Sequence, residues 1–281
     1  MFLFCFFCFQ DKSRLIKSFG NCNKALVIRW SVCQSTTITE QLNGGVRYFD
    51  MRPGYIDYED DFYFVHGLHG ILIREMLIEM RHFLDENPQE IIIVDFNHFH
   101  CFDKRTHARF VQLIWNIFGN LLFSRDVVKD ADISSLTLFD MRSCSKQVLL
   151  SYKDREICSE NSAFWFSKDL IFSPWYNTND LSYLEHRLSN LIMTQSNGKL
   201  NIFQGILTAR KTTVLSNPNS TLREALVIKC NTGLKKWLHH LLDERKQQQP
   251  QQQQDMINIM MCDFVVEDGL VELILKFNNI K

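Results

Sequence analysis

The stretch Glu90–Phe96, EIIIVDF, predicts the fold class of this chain. It is a near-continuous apolar run, which suits a strand buried on both faces, as the strands of parallel sheets are. A helical pattern precedes it at Ile71–Glu86 and ends at Asn87–Pro88, and another follows at Arg105–Leu121. The run is therefore predicted to be a buried strand between two helices, as in a βαβ unit.

The alternation of strands and helices continues along the rest of the chain. Lys24–Val32 has the pattern of either a strand or a core helix. The other predicted elements are a short helix at Thr37–Asn43, strands at Gly45–Arg52, Asp61–Val65, Gln147–Tyr152, Leu200–Leu207 and Ile257–Phe264, and helices at Leu181–Met193, after a capping box of Thr221 and Glu224, and after Gly269. About six or seven strands in this order indicate an α/β fold with a parallel sheet. A chain of 281 residues is long enough for one α/β barrel.

The composition excludes one class of partner and predicts a reducing compartment. The net charge is −1 and there is no dense block of Lys or Arg, so no nucleic-acid partner is expected. The nine cysteines form no regular framework, and Cys5 and Cys8 lack the second pair that a zinc site needs. We therefore expect reduced thiols and a cytoplasmic protein. The glutamine-rich segment 246–255 is predicted to be a disordered surface loop.

Polar side chains follow several of the predicted strands, at the carboxyl end where functional residues of α/β barrels lie. They are Arg52, His66, Asn97, Tyr152 and Asp263. An arginine binds two phosphate oxygens with its planar fork, a histidine protonates a leaving oxygen near neutral pH, and a carboxylate orients an imidazole. Together they favour cleavage of a phosphodiester without a metal, although each residue alone is also typical of packing or of a structural ion pair.

A metal-dependent hydrolase is the alternative that the same region leaves open. Imidazole and carboxylate groups are common ligands of catalytic metal ions. The candidate ligands are His66, His69, His98 and His100, with Asp50 and Asp95.

Three stretches resemble the X domain of phosphatidylinositol-specific phospholipases C. They are EQLNGGVRYFDMRPGY at 40–55, FYFVHGLHG at 62–70 and FLDENPQEIIIVDFNHF at 83–99. The likeness continues in the same order to the end of the chain, and it is closest to the short, single-domain proteins named after that domain. The resemblance implies an irregular (β/α) barrel of the TIM type over residues 24–281. It also implies cleavage of the phosphodiester between inositol phosphate and diacylglycerol.

The resemblance also implies roles for individual residues. Arg52 would bind the phosphate in place of the calcium ion of larger relatives, so that no metal or other cofactor is expected, and Asp50 would be the neighbouring acidic residue. His66 would be the general acid that protonates the leaving glycerol oxygen. Asp263 would orient a second catalytic histidine, and Asn97 would be a polar residue of the site.

The expected partners follow from the same resemblance. They are a phosphoinositide lipid or an inositol phosphate. Tyr152 is interpreted either as a ring that stacks on inositol or as a core tyrosine. The aromatic loops predicted at Phe164–Phe166 and Pro174–Tyr176 would either touch a membrane peripherally or pack on the barrel.

The N-terminal segment 1–23 departs from the family pattern. The family carries a histidine motif of the SHD type on its first strand, whereas this chain has no histidine before His66 and begins with MFLFCFFCF. This start is too short to span a bilayer, which takes roughly 20 residues, and it lacks the flanks of a signal peptide. We therefore expect a truncated N-terminus, a first strand that is missing or altered, and doubtful activity. A non-catalytic phosphoinositide-binding or inositol-phosphate-binding protein is the alternative function.

Overall fold

The computed structural model describes residues 2–4, 24–65, 69–128, 136–195, 198–247 and 257–278. The predicted disordered segment 246–255 lies outside these ranges except for Lys246 and Gln247, which end a helix. His66 also lies outside them.

The described residues form strands and helices in alternation. The strands are β1 Phe2–Phe4, β2 Tyr48–Met51, β3 Pro53–Ile56, β4 Asp61–Val65, β5 His69–Leu72, β6 Ile92–Phe96, β7 Val148–Tyr152, β8 Phe164–Phe166, β9 Ile171–Phe172, β10 Leu200–Gln204 and β11 Ile259–Met261. The helices are α1 Lys24–Ser31, α2 Ile38–Asn43, α3 Ile73–Glu86, α4 Lys104–Phe118, α5 Leu138–Ser143, α6 Arg155–Glu160, α7 Ser167–Leu170, α8 Leu181–Met193, α9 Lys211–Ser216, α10 Ile228–Gln247 and α11 Leu270–Phe277. A π-helical turn, Arg223–Val227, leads into α10.

The main sheet is parallel and has the strand order β8-β7-β6-β2-β1-β11-β10-β9. Its two end strands, β8 and β9, are joined by the four-residue helix α7, which can bridge at most roughly 18 Å. A flat sheet of eight strands would be roughly 34 Å wide. The sheet must therefore curl until its edges are close, which agrees with the predicted irregular (β/α) barrel, although β8 and β9 are not hydrogen bonded to each other in the described residues.

The strand predicted from EIIIVDF is confirmed as β6. Every residue of β6 is buried, and the strand pairs in parallel with β2 on one side and β7 on the other. Helix α3 before it buries the predicted apolar stripe, including Ile73, Met76 and Leu84. Lys24–Val32, predicted as either a strand or a helix, forms α1.

The first strand is present in altered form. Strand β1 lies between β2 and β11 and pairs in parallel with both, with Leu3 opposite Tyr48 and Phe2 opposite Met260. Backbone hydrogen bonding requires only an extended chain, so an apolar segment without the family motif takes this position in the sheet.

Strand β4 does not belong to the parallel sheet, contrary to the predicted order. It pairs antiparallel with β3 and β5 in a separate three-stranded sheet. Only residues 57–60 connect β3 to β4, and a parallel crossover needs a dozen residues or more. Phe164–Phe166, predicted as a loop, is the edge strand β8.

The capping box predicted at Thr221 is present, and a second one opens α2. The Thr37 hydroxyl accepts from the Glu40 backbone N–H at 3.1 Å, and Glu40 accepts from the Thr37 backbone N–H at 2.7 Å. We expect Thr37→Ala to lower the free energy of unfolding by about 1 kcal/mol, because one donor at the helix start loses its acceptor. Urea unfolding with Thr37→Ser as the control tests this, and equal midpoints for all three proteins would contradict it.

Candidate active site

The carboxyl ends of β2, β6 and β7 meet at one edge of the sheet. Asp50 of β2 is opposite Asp95 of β6, and Asp95 is opposite Ser151 of β7. This register brings the residues at and after the strand ends together at the carboxyl edge of the sheet. We call this edge, with Asp50, Arg52 and Asn97, the mouth. Arg52 follows β2, and Asn97 follows β6.

Asp50 and Arg52 form an ion pair at this mouth. The Arg52 Nε lies 3.3 Å from Asp50 Oδ1, and its Nη2 lies 3.5 Å from Oδ2. The Asp50 side chain is 4% exposed and the Arg52 side chain is 30% exposed. The buried carboxylate therefore orients a guanidinium that reaches solvent, and a guanidinium in this position is able to bind an anion.

The residue before His66 is hydrogen bonded to Arg52. The Val65 backbone N–H donates to the Arg52 carbonyl oxygen at 2.8 Å, where β4 pairs with the start of β3. His66 itself lies outside the described residues, so its predicted role stays a prediction.

Asp95 is a buried carboxylate near the end of β6, and it is hydrogen bonded to side chains around the mouth. Asp95 Oδ2 accepts from the Tyr48 hydroxyl at 2.8 Å and from Asn97 Nδ2 at 2.9 Å, and Oδ1 accepts from Ser151 at 2.5 Å. Burial, and then the nearby charge of Asp50, raise the pKa of Asp95, while these three hydrogen bonds oppose the rise. The sequence interpretation considered Asp95 only as a metal ligand. The sequence signal for this hydrogen-bond network was Asp95 itself, a single acidic residue inside an otherwise apolar strand.

Asp263 lies beyond the end of β11 and is buried, with 6% exposure. Burial raises the pKa of its carboxyl group to about 7, against the lowering effects of a hydrogen bond from the Cys33 thiol and of the Arg52 charge. The expectation was a carboxylate that orients a histidine. The described side chain that bonds Asp263 is a thiol instead.

Tyr152 is in the core. Its side chain has no exposed surface, its ring lies 4.6 Å from that of Phe99, and its hydroxyl is 2.7 Å from His107 Nδ1. A ring without exposed surface cannot stack on a ligand, so the structure favours the core interpretation of Tyr152 over the predicted substrate contact.

The histidines of the metal alternative do not converge in the described residues. The rings of His69 and His100 are in an edge-to-face arrangement with centroids 6.3 Å apart, whereas His98 bonds Asn97 at 2.6 Å. No group of three or more His, Cys, Asp or Glu side chains in the described ranges could hold a metal ion.

An open cavity of about 390 Å³ lies between the three-stranded sheet and the segment that leads into α4. It is formed by β3, β5 and the start of α4, and Tyr55, Asp57, His69 and Asp103 line it. Neither Arg52 nor Asp50 is among its lining residues, so we do not assign the cavity to the site.

Comparison with known proteins identifies the family. Residues 19–154 match the family described as phosphatidylinositol-specific phospholipase C, X domain. The human PI-PLC X domain-containing protein 2 is 36% identical over 227 residues, which cover 77% of this chain and 70% of that protein. This chain belongs to the PI-PLC X domain-containing family. The mouse PI-PLC X domain-containing protein 3 is 29% identical over 274 residues, covering 96% and 80% of the two chains.

The fold of this PI-PLC X domain-containing chain is similar to that of solved bacterial phosphatidylinositol-specific phospholipases C. The phosphatidylinositol-specific phospholipase C from Listeria monocytogenes matches 92% of this chain and 88% of its own, with a TM-score of 0.67 and 19% identity. A single-site mutant of the phosphatidylinositol-specific phospholipase C from Staphylococcus aureus gives a TM-score of 0.66 at 12% identity, over 92% and 87% of the chains. The likeness at these identities concerns the fold.

The two aromatic segments of this PI-PLC X domain-containing chain have different environments. Phe164 and Trp165 are buried in β8, so this segment does not form an exposed rim. Trp175 is 63% exposed, and its indole nitrogen lies 3.2 Å from the Thr208 hydroxyl. Only the second predicted aromatic segment therefore presents a large exposed aromatic side chain.

Proposed function

We propose that this chain is a phosphoric diester hydrolase of the phosphatidylinositol-specific phospholipase C type, acting on phosphoinositide lipids without a metal ion. The observation that carries this proposal is the Asp50–Arg52 ion pair at the carboxyl edge of the sheet. A guanidinium held by a buried carboxylate supplies permanent positive charge where a phosphate would bind. Membership of the X-domain family supports the choice of substrate class.

The proposed reaction is an intramolecular displacement at phosphorus. The inositol 2-hydroxyl attacks, the bond from phosphorus to the glycerol oxygen breaks, and a cyclic inositol phosphate forms. Arg52 binds the non-bridging oxygens and stabilises the charge that develops on them. His66 donates a proton to the leaving glycerol oxygen. Asp263 lies close enough to Arg52 for their charges to interact and is proposed as a further carboxylate of the site.

Release of inositol phosphate from phosphatidylinositol vesicles tests the proposal. We expect product from these vesicles, none from vesicles of phosphatidylcholine alone, and the same rate after treatment with a metal chelator, because Arg52 supplies the charge. Loss of the activity on chelation, with recovery on adding calcium, would contradict the metal-free mechanism. Failure to form product under all conditions would contradict the hydrolase.

A non-catalytic phosphoinositide-binding protein is the second candidate function. The specific observation in its favour is that Asp263 accepts a hydrogen bond from the Cys33 thiol, which occupies this carboxylate with a group that is not a histidine. Sedimentation with phosphatidylinositol vesicles without product formation is the outcome that favours this candidate.

Peripheral membrane contact is part of the proposal, because the substrate is a lipid. Trp175, Phe172 and Leu215 are exposed by 63%, 39% and 64%, and tryptophan is favoured at membrane interfaces. None of the helices in the described ranges combines the length and the apolar character needed to cross a bilayer.

A further inference from the structure

His98 is an exposed histidine that follows β6 at the same mouth as Arg52. Its Nδ1 lies 2.6 Å from the Asn97 side-chain oxygen, and the Asn97 nitrogen donates to Asp95 Oδ2 at 2.9 Å. The bond to Asp95 turns the amide oxygen of Asn97 towards the imidazole. His98 is thus tied through one residue to the buried carboxylate beneath the mouth.

This chain of bonds determines which nitrogen of the neutral His98 ring carries the hydrogen. An amide oxygen only accepts hydrogen bonds, so Nδ1 must be the donor to Asn97. In the neutral ring Nε2 then has a lone pair and can accept a proton. His98 is therefore held by Asn97 through Nδ1, while Nε2, on the other side of the ring, can act as a base.

The surroundings of His98 favour its neutral form near pH 7. Partial desolvation of the ring is the largest effect and lowers its pKa from 6.5, the positive charges of Arg52 and Lys153 lower it further, and the negative charge of Asp50 acts in the opposite direction. The effects of Arg52 and Asp50 on this pKa also indicate that His98 is close enough to the proposed phosphate-binding pair for their charges to interact. A neutral imidazole beside a phosphate site is suited to accept a proton.

The other described histidines near the mouth have different partners. His69 and His100 contact each other edge to face, and His107 Nδ1 bonds the buried Tyr152 hydroxyl. The proposed reaction needs a base for the inositol 2-hydroxyl, and the segment that follows β6 offers one in His98.

We propose that His98 is the general base of this chain, with Asn97 and Asp95 as positioning residues. The inference rests on the proposed function. The His98 Nε2 takes the proton of the inositol 2-hydroxyl as its oxygen bonds to phosphorus, and the bond to the glycerol oxygen breaks as that oxygen receives a proton from His66. The electron pair of the broken bond stays on the glycerol oxygen, so that charge and protons balance. Asp95 and Asn97 act only through His98.

Product release by His98→Ala, compared with His100→Ala, tests the proposal. His100 lies two residues further along the same segment, and its side chain is also exposed, so its replacement is a matched control. We expect His98→Ala to lower kcat by about 10²–10³-fold with KM changed less than about threefold, because loss of a general base slows the chemical step. His100→Ala should retain the wild-type rate.

The outcomes separate this inference from the proposed function. A wild-type chain that releases product, with His98→Ala within about threefold of it, overturns the role of His98 and leaves the hydrolase standing. A wild-type chain that releases no product overturns both.

The positioning role of Asn97 has a separate readout that does not depend on turnover. Nitrogen-15 NMR of the imidazoles should show His98 with its hydrogen on Nδ1 in the wild-type chain. In Asn97→Ala the acceptor is absent, and we expect both tautomers together with a loss of kcat of about tenfold. An unchanged tautomer in Asn97→Ala, or hydrogen on Nε2 in the wild-type chain, would overturn the assignment.

Discussion

We expect Arg52→Ala to lower the rate of inositol phosphate release by about 10³–10⁵-fold. In the proposed reaction, the guanidinium faces the oxygens on which negative charge develops, and the partly enclosed position at the strand end strengthens this interaction relative to water. The buried Asp50 fixes the orientation of the guanidinium, so no rearrangement is needed at the moment of reaction. Alanine removes both the charge and the donors.

Arg52→Lys separates these two contributions. Lysine keeps the positive charge but lacks the planar fork that contacts two oxygens, so we expect an activity between those of the wild-type and alanine proteins. Arg81→Ala is a suitable control, because the Arg81 side chain is also 30% exposed but pairs with Asp85 on the surface of α3. Initial rates on phosphatidylinositol vesicles measure all four proteins. Full activity in Arg52→Ala would remove the basis of the proposed mechanism.

We compare the free energies of unfolding of Asp263→Asn and the wild-type chain, and take as reference their difference at low pH, where Asp263 is protonated in both the folded and the unfolded state. At pH 8 we expect this difference to be larger by about 4 kcal/mol, in favour of Asp263→Asn. Burial raises the pKa of Asp263 to about 7, whereas an aspartate in an unfolded chain titrates near 3.9. Between these values the folded state keeps a proton that the unfolded state has lost. The free energy of unfolding of the wild-type chain therefore falls as the pH rises through this window, and asparagine has no such dependence.

Urea unfolding of both proteins at pH 5, 6.5 and 8 measures this effect. The difference in unfolding free energy should grow by about 2–3 kcal/mol between pH 5 and pH 8, in favour of Asp263→Asn. The buried Asp95 is present in both proteins, so its contribution cancels. Asp85→Asn changes a carboxylate that is 50% exposed and is the control. Parallel pH curves for the wild-type chain and Asp263→Asn would show that the Asp263 carboxyl group is not the cause.

The candidate site was partly predictable from the sequence. The strand-end rule placed Arg52 and Asn97 at the carboxyl ends of two strands, and the structure has them directly after β2 and β6, which are buried parallel strands with aligned carboxyl ends; their roles stay predictions. The same rule failed for Tyr152, which also ends a strand but whose side chain points into the core. Successive side chains of a strand alternate between its two faces. When a strand is apolar on both faces, its sequence does not show which face carries the side chains that reach the mouth.

The sequence alone determined several of the local elements of this protein, but not β8, which was predicted as a loop. The apolar stripe of α3, the bounds of α8 at Leu181–Met193 and the buried run of β6 all follow from periodicity, which records how neighbouring residues share one face. Only the tertiary structure decided which strands pair. It placed β1 between β2 and β11, separated β3–β5 into an antiparallel sheet, and joined Asp95 to His98 through Asn97. The physical reason is that the burial period of a helix or strand is set by neighbouring residues, whereas strand pairing joins distant segments and side-chain bonds depend on how the folded backbone orients each group.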